Sequence, residues 1–383
     1  LATTSTAKSG LIRYLTNALN VLKIGGYSNI YFKGVFVKEI IAANTVILIF
    51  ILCLVGCAVH PVTLKKELMI ISEEKELDIG RKSDPYILHQ MGYYDDPALQ
   101  DYVNQIGQKL VKVCRRRDIE YHFKVLDTND INAFAVPGGY IYVTRGILAV
   151  MNSEAELAGV LGHEIGHVVG RDSANQISQQ TLFQVAALAG MAAPGARDLA
   201  VAGNMLFNSV MLGYGREKEF LADAQGVEYM GKAGYDPSQM AAFQYTLAKI
   251  YQGPGGYAQY LSTHPDIFDR INRTNAQAKV QRAMDDALSR LNKGSDGLKE
   301  QNIERSGKVI LSDEYKARLD GLAYGPRDNI RRIQIYTVKE GDTLQSIAAN
   351  EMGDNSRRKE IAFLNGLEIN DQLYADQKLK LVY

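Results

Sequence analysis

Two rhythms of apolar and polar residues run along this chain, and the places where one gives way to the other mark its elements. Between Glu67 and Asp118 apolar positions recur at steps of three and four (Tyr102, Ile106, Leu110, Val113), the period of helices buried on one side. Tyr121–Val125 and Tyr140–Val143 are rich in aromatic and β-branched residues and predict strands, with Pro137-Gly138-Gly139 as a turn between them. Ser153-Glu154-Ala155-Glu156 has the form of a capping box and opens a helix expected to stop near Gly170. Thr181–Gly213 is almost wholly apolar around Pro194-Gly195, which predicts a buried helical hairpin, with a mobile lid or membrane-facing patch as the alternative. Lys293-Gly294-Ser295-Asp296-Gly297 then predicts a linker over 293–333. Beyond it Ile335–Val338 alternates as a strand. A helix with an Asp342/Gln345 capping box follows, then a second helix ending at Asn365-Gly366, and Leu379 and Leu381 lie on a last strand. This β-α-α-β module occupies 334–383, and a linker of that kind would make it separable from the domain before it.

Composition narrows the class. Hydrophobic residues make up 46% and charged residues 22%, as in a globular protein, and 43 basic against 43 acidic residues give no case for a nucleic-acid partner. The charge is uneven, however: Lys8, Arg13, Lys23, Lys33 and Lys38 precede Cys57 against the single acid Glu39. The apolar run Thr45–Gly56 is short for a membrane span and suits the core of a signal peptide. It ends Leu54-Val55-Gly56-Cys57, which resembles the bacterial lipobox. That resemblance implies that 1–56 is a leader and that Cys57 is acylated and held on a membrane. Ala58, where Asp would signal inner-membrane retention, places the expected anchor in an outer membrane, facing the periplasm. Residues 1–34 exceed an ordinary signal peptide, so translation is expected to begin near Val35 or Val37. An uncleaved anchor is the alternative. Of the other two cysteines, Cys53 lies in the apolar run, so Cys114 remains as a packed thiol and no disulfide framework is expected.

The chemistry lies in His163-Glu164-Ile165-Gly166-His167. Histidines at i and i+4 share one helix face and can reach one metal, and Glu164 beside them can act as general base. Downstream, Glu219 and Asp223 repeat the i, i+4 spacing. Glu219 completes a two-histidine, one-glutamate zinc site with an open position, and Asp223 can fix a histidine tautomer. Glu217 is a rival by spacing, but Leu221 stands four residues on.

HExxH followed by ExxxD resembles the metallopeptidases related to the CAAX prenyl protease, and most of all their bacterial outer-membrane quality-control branch. Asn132–Gly139, Gly139–Val143, Gly162–His167, Glu219…Asp223 and Ser262-Thr263-His264-Pro265…Arg270 carry that resemblance. It implies an α+β fold, a mainly helical gluzincin-like domain over 57–292 with a small sheet, and one zinc ion per chain. It also implies endoproteolysis of misfolded or misassembled envelope proteins, and makes the strand Gly139, Tyr140, Ile141, Tyr142 the edge on which substrate pairs. It places the loop of His264 over the site, either as a fourth ligand that excludes water or as a donor to the oxyanion. The C-terminal Tyr336-x-Val338-x-x-Gly341-Asp342-Thr343-Leu344 and Leu364-Asn365-Gly366 resemble a LysM module, which implies binding to peptidoglycan glycan; Ala375-Asp376 stands where Pro-Gly is usual. Two other functions fit the same features: a peptidoglycan peptide-bond hydrolase, and a non-catalytic wall-binding scaffold or chaperone.

Overall fold

In a computed structural model, the structure describes residues 57–59, 62–190, 213–252, 264–295 and 310–383. The leader, most of the apolar hairpin and the glycines at 253–256 lie outside these residues. Among the described residues no helix is long and apolar enough to cross a membrane.

A short hairpin, β1 (Cys57–Val59) and β2 (Lys66–Leu68), precedes two helices, α1 (Glu73–Met91) and α2 (Pro97–Val111). Three strands follow: β3 (His122–Leu126), β4 (Ala133–Val136) and β5 (Tyr140–Thr144), in the order β3-β5-β4, the first pair parallel and the second antiparallel. α3 (Arg145–Val150) leads to α4 (Glu154–Gly170), which carries HExxH, and α5 (Asp172–Gly190) continues from it. α6 (Arg216–Lys232), α7 (Ser238–Gln252) and the long α8 (Ile267–Ser295) complete the helical body.

Every residue of α4 is buried, which is why its sequence is apolar on all sides apart from the metal motif and the first-turn acids Glu154 and Glu156. Small residues let α6 approach it closely. A Cβ on Gly166 would lie 2.9 Å from the Ala222 Cα, and one on Gly162 would lie 3.1 Å from the Gly226 Cα. Gly162 and Gly166 are i, i+4 on one helix, and Ala222 and Gly226 are i, i+4 on the other, so the two backbones meet along a seam with only the Ala222 methyl between them at these positions. At the far end of α4 a buried carboxylate is clasped by two arginines. Glu76 accepts from Arg116 (2.8 and 3.1 Å) and from Arg171 (2.7 Å), which ties α1 to the helix terminus.

The Ser153 cap is present, its hydroxyl accepting from the Glu156 amide (3.1 Å), but the Glu156 carboxylate turns back to the Asn152 amide (2.6 Å). Part of the expected linker is packed structure. α9 (Ser312–Arg318) and β6 (Ala323–Tyr324) follow residue 310, and Tyr315, Leu319 and Leu322 are buried in the same core as α4. β6 pairs with β7 (Arg331–Thr337), which pairs with β8 (Lys378–Val382). Between β7 and β8 lie α10 (Leu344–Met352) and α11 (Arg358–Leu364). The capping box of α10 is one residue later than expected. Thr343 and Ser346 form it, and Asp342 instead accepts from the Tyr336 hydroxyl and the Lys339 amide (both 2.8 Å). Asp376 takes the left-handed conformation (φ 69°), which lets it stand in for glycine at the turn into β8.

Candidate metal centre

The seam between α4 and α6 brings His163, His167 and Glu219 together, and the residue before α8's loop adds His264. All four are buried, and one donor atom from each lies within 4.8 Å of the others. His163 Nε2 is 3.1 Å from His167 Nε2 and 3.2 Å from His264 Nδ1. Glu219 oxygens lie 3.5, 3.3 and 3.2 Å from the facing nitrogens of His163, His167 and His264 respectively. Ligands at about 2.0–2.1 Å around tetrahedral zinc are separated by about 3.3 Å, so these spacings match the edges of such a site.

The outer side of each ring fixes its tautomer. His163 Nδ1 lies 2.9 Å from Asp223 Oδ1, and His167 Nδ1 lies 2.8 Å from Asp172 Oδ2. His264 Nε2 is 3.2 Å from the Ala133 carbonyl. Carboxylates and carbonyls only accept, so each of these nitrogens carries a proton and its partner nitrogen turns a lone pair inward. Once the proton that His167 holds without metal is displaced, three inward nitrogens and a carboxylate can share one cation, and nitrogen and oxygen donors in this number suit zinc. The donor set therefore fits the metal.

Charge around the site is compensated. Arg270 lies 2.7 Å from Glu219 Oε2 and grips Asp223 through two nitrogens at 2.8 Å. Burial would raise the Glu219 carboxyl, but Arg270, His264, His163 and His167 hold it well below the usual carboxylate range. Burial likewise opposes charge on His167, yet Asp172 and Glu219 outweigh it and push that imidazole up to about 10 when no metal is bound. Lys218 (3.0 Å) supports Asp172 from the other side. Tyr214 lies over the His167 ring, centroids 4.0 Å apart, and its hydroxyl meets Ser173 (2.7 Å).

Glu164 is wholly buried, and among the described residues neither of its oxygens has a hydrogen-bond partner. It lies 3.6 Å from His264 Nε2, beside the cluster and outside the donor set. A buried carboxylate with no hydrogen bond among the described residues, next to a cation site, is placed to take a proton.

The expected substrate edge needs correcting. β5, with Tyr140, Ile141 and Tyr142, is the central strand, paired on both sides, and Gly139 gives its carbonyl to the His122 amide (3.0 Å), so no backbone there is free to receive another chain. The edge facing the metal is β4. The Ala133 carbonyl accepts from His264, and the Ala135 carbonyl accepts from Ser173 (3.0 Å) and Tyr214 (3.3 Å). Sequence alternation marks strands but not their order in a sheet. Glu217 is exposed and away from the cluster. Cys57 opens β1. Asp172, Arg270 and Tyr214 were not assigned roles from sequence: Asp172 lies five residues past His167, across a helix end, where no periodic rule points to it. The paired small residues on α4 and α6 were legible in principle, as matching i, i+4 repeats.

Fold and site define a metallopeptidase of the HExxH…ExxxD type. Residues 97–278 match peptidase family M48, and residues 336–382 match the LysM domain. It is similar to the putative beta-barrel assembly-enhancing protease of Vibrio cholerae, 33% identical over 54% of this chain and 44% of that one. The beta-barrel assembly-enhancing protease of Escherichia coli is 28% identical over 80% of this chain and 62% of its own length. The mitochondrial metalloendopeptidase OMA1 of Arabidopsis thaliana is 30% identical over 56% of this chain and 43% of that one. The chain thus spans less than two thirds of the length of these relatives.

Proposed function

We propose that this chain is a zinc-dependent endopeptidase of the cell envelope, acting on misfolded or misassembled proteins. Its lipid anchor would be Cys57, in an outer membrane, and its LysM module would read peptidoglycan. The observation that carries the enzymatic part is the convergence of three histidine nitrogens and Glu219 beside the Glu164 carboxylate, which accepts no hydrogen bond among the described residues. Relatives named for β-barrel assembly support an envelope role, and the LysM match supports a glycan partner.

Zinc held by His163, His167 and Glu219 would polarise a peptide carbonyl and make water acidic enough to attack it near neutral pH. Glu164 accepts the proton of the attacking water and passes it to the departing amine. Asp223 and Asp172 keep His163 and His167 in the tautomers that face the site. His264 occupies the fourth corner of the donor set, so it blocks the water position and must withdraw for the enzyme to work. Its withdrawal also frees the Ala133 carbonyl on β4, the edge on which an extended substrate would pair.

Hydrolysis of denatured casein and of purified sacculi, each with and without a zinc chelator, tests this function. Chelator-sensitive cleavage of casein alone is expected. Release of peptides from sacculi with casein intact would replace it by a peptidoglycan hydrolase, and no hydrolysis of either by zinc-loaded protein would leave a wall-binding scaffold.

A further inference from the structure

A helix beginning in a protein core must find acceptors for its first amides and donors for the carbonyls that precede it. At the start of α4 most of these partners come from far along the chain. The Glu154 and Ala155 amides donate to the carbonyls of Leu311 (3.3 Å) and Ile310 (3.2 Å). At the end of α3, the Leu148 carbonyl accepts from the Tyr315 hydroxyl (2.8 Å). The carbonyls of Ala149 and Met151 accept from Lys380 Nζ at 2.7 and 2.6 Å.

Lys380 belongs to β8 of the LysM module and is completely buried. Its backbone is fixed by Asn365, which accepts its amide (2.8 Å) and donates to its carbonyl (2.9 Å). Lys316 of α9 donates to the Lys378 carbonyl (2.9 Å) beside it. Arg145, also wholly buried, reaches the carbonyls of Ala323 (3.1 Å) and Gly325 (2.8 Å) from the first turn of α3. The apolar side chains agree: Leu364 and Val382 of the module join the main core together with Ile333 of β7, while Leu344, Ile347, Ile361 and Leu379 form the module's own. A tethered domain would touch its neighbour through exposed, exchangeable contacts. Here buried donors of one part satisfy buried acceptors of the other.

We propose that the LysM module, with the segment 310–325, is a built clamp on the start of the metal-binding helix, pinned by Lys380 in the α3 carbonyls. The module is then a permanent interface partner of the peptidase. Its exposed stretches at 339–341 and 368–372 are carried at a fixed orientation to the metal centre.

The test uses the full chain. Wild-type unfolding is followed with one probe of zinc release and one of LysM structure, and amide hydrogen exchange is compared between wild type, Lys380→Met and Lys249→Ala. Lys249 pairs with Glu368 on the exposed side of the same junction and serves as control. The clamp predicts one shared unfolding transition. It also predicts exchange at least about tenfold faster over 148–158 in Lys380→Met, and no change in Lys249→Ala. Two independent transitions would overturn it, as would wild-type exchange over 148–158 in a folded Lys380→Met. Should that variant fail to fold, the wild-type transitions decide alone.

Discussion

Replacing Glu164 by Gln separates the cost of the proposed catalytic carboxylate from its use. Glu164 is fully buried, accepts no hydrogen bond among the described residues, and shares its surroundings with the Glu219 carboxylate. A buried polar group left unsatisfied costs about 1–3 kcal/mol, and more when charged. Glutamine keeps the shape and removes the charge, so Glu164→Gln is expected to stabilise the metal-free protein by about 1–3 kcal/mol. For a domain of this size each kcal/mol moves Tm by about 2–4 °C, which gives a rise of roughly 2–12 °C. With zinc bound the cation already compensates the carboxylate, so the gain should shrink. An amide cannot accept the water's proton, and hydrolysis should fall by about 10²–10⁴-fold. Zinc should stay, since all four members of the donor set are untouched. Thermal unfolding with and without zinc, metal content and casein hydrolysis test these together. A variant that loses zinc, that is less stable than wild type without metal, or that hydrolyses within a few-fold of wild type would refute the role.

His264→Ala should raise turnover if the ring blocks the water position, whereas a loss of about a hundredfold would make it an oxyanion donor instead. Asp172→Asn should weaken zinc binding by about 10–100-fold, measured by competition with a chelator, because the amide no longer holds His167 by a charged acceptor. The His167 imidazole is pushed up to about 10 without metal, so zinc must displace its proton. Affinity should fall as pH falls, by about tenfold per unit between about pH 6 and 8; a flat profile would contradict this. In the metal-free protein the same raised value stabilises the fold fully below the ordinary 6.5, and that contribution is lost as pH rises through about 10. Cys57→Ser should abolish palmitate labelling and release the protein from membranes, and labelling that persists would remove the anchor.

What the sequence determined was local. Histidines four apart on one helix, the glutamate between them and a second i, i+4 acidic pair are statements about helix geometry, and helix geometry is the same in any fold. The LysM module was legible for a similar reason: its strands, helices and turn residues are contiguous, and Asp376 could be read as a left-handed turn residue before its φ of 69° was known. Tertiary structure decided whatever depends on elements far apart in the chain. Sheet order put β4, a segment the sequence reading does not mark as a strand, at the candidate metal site and β5 in the centre. Asp172 and Arg270 acquired their partners through helix packing that no single segment encodes. The polar, charged stretch after residue 310 reads as a linker. Yet Tyr315, Leu319 and Leu322 find the core, and Lys380, whose lysine-leucine alternation suggests an exposed edge, ends buried against the carbonyls before α4. A lysine amine can be buried only where fixed acceptors await it, and those acceptors lie more than two hundred residues earlier in the chain.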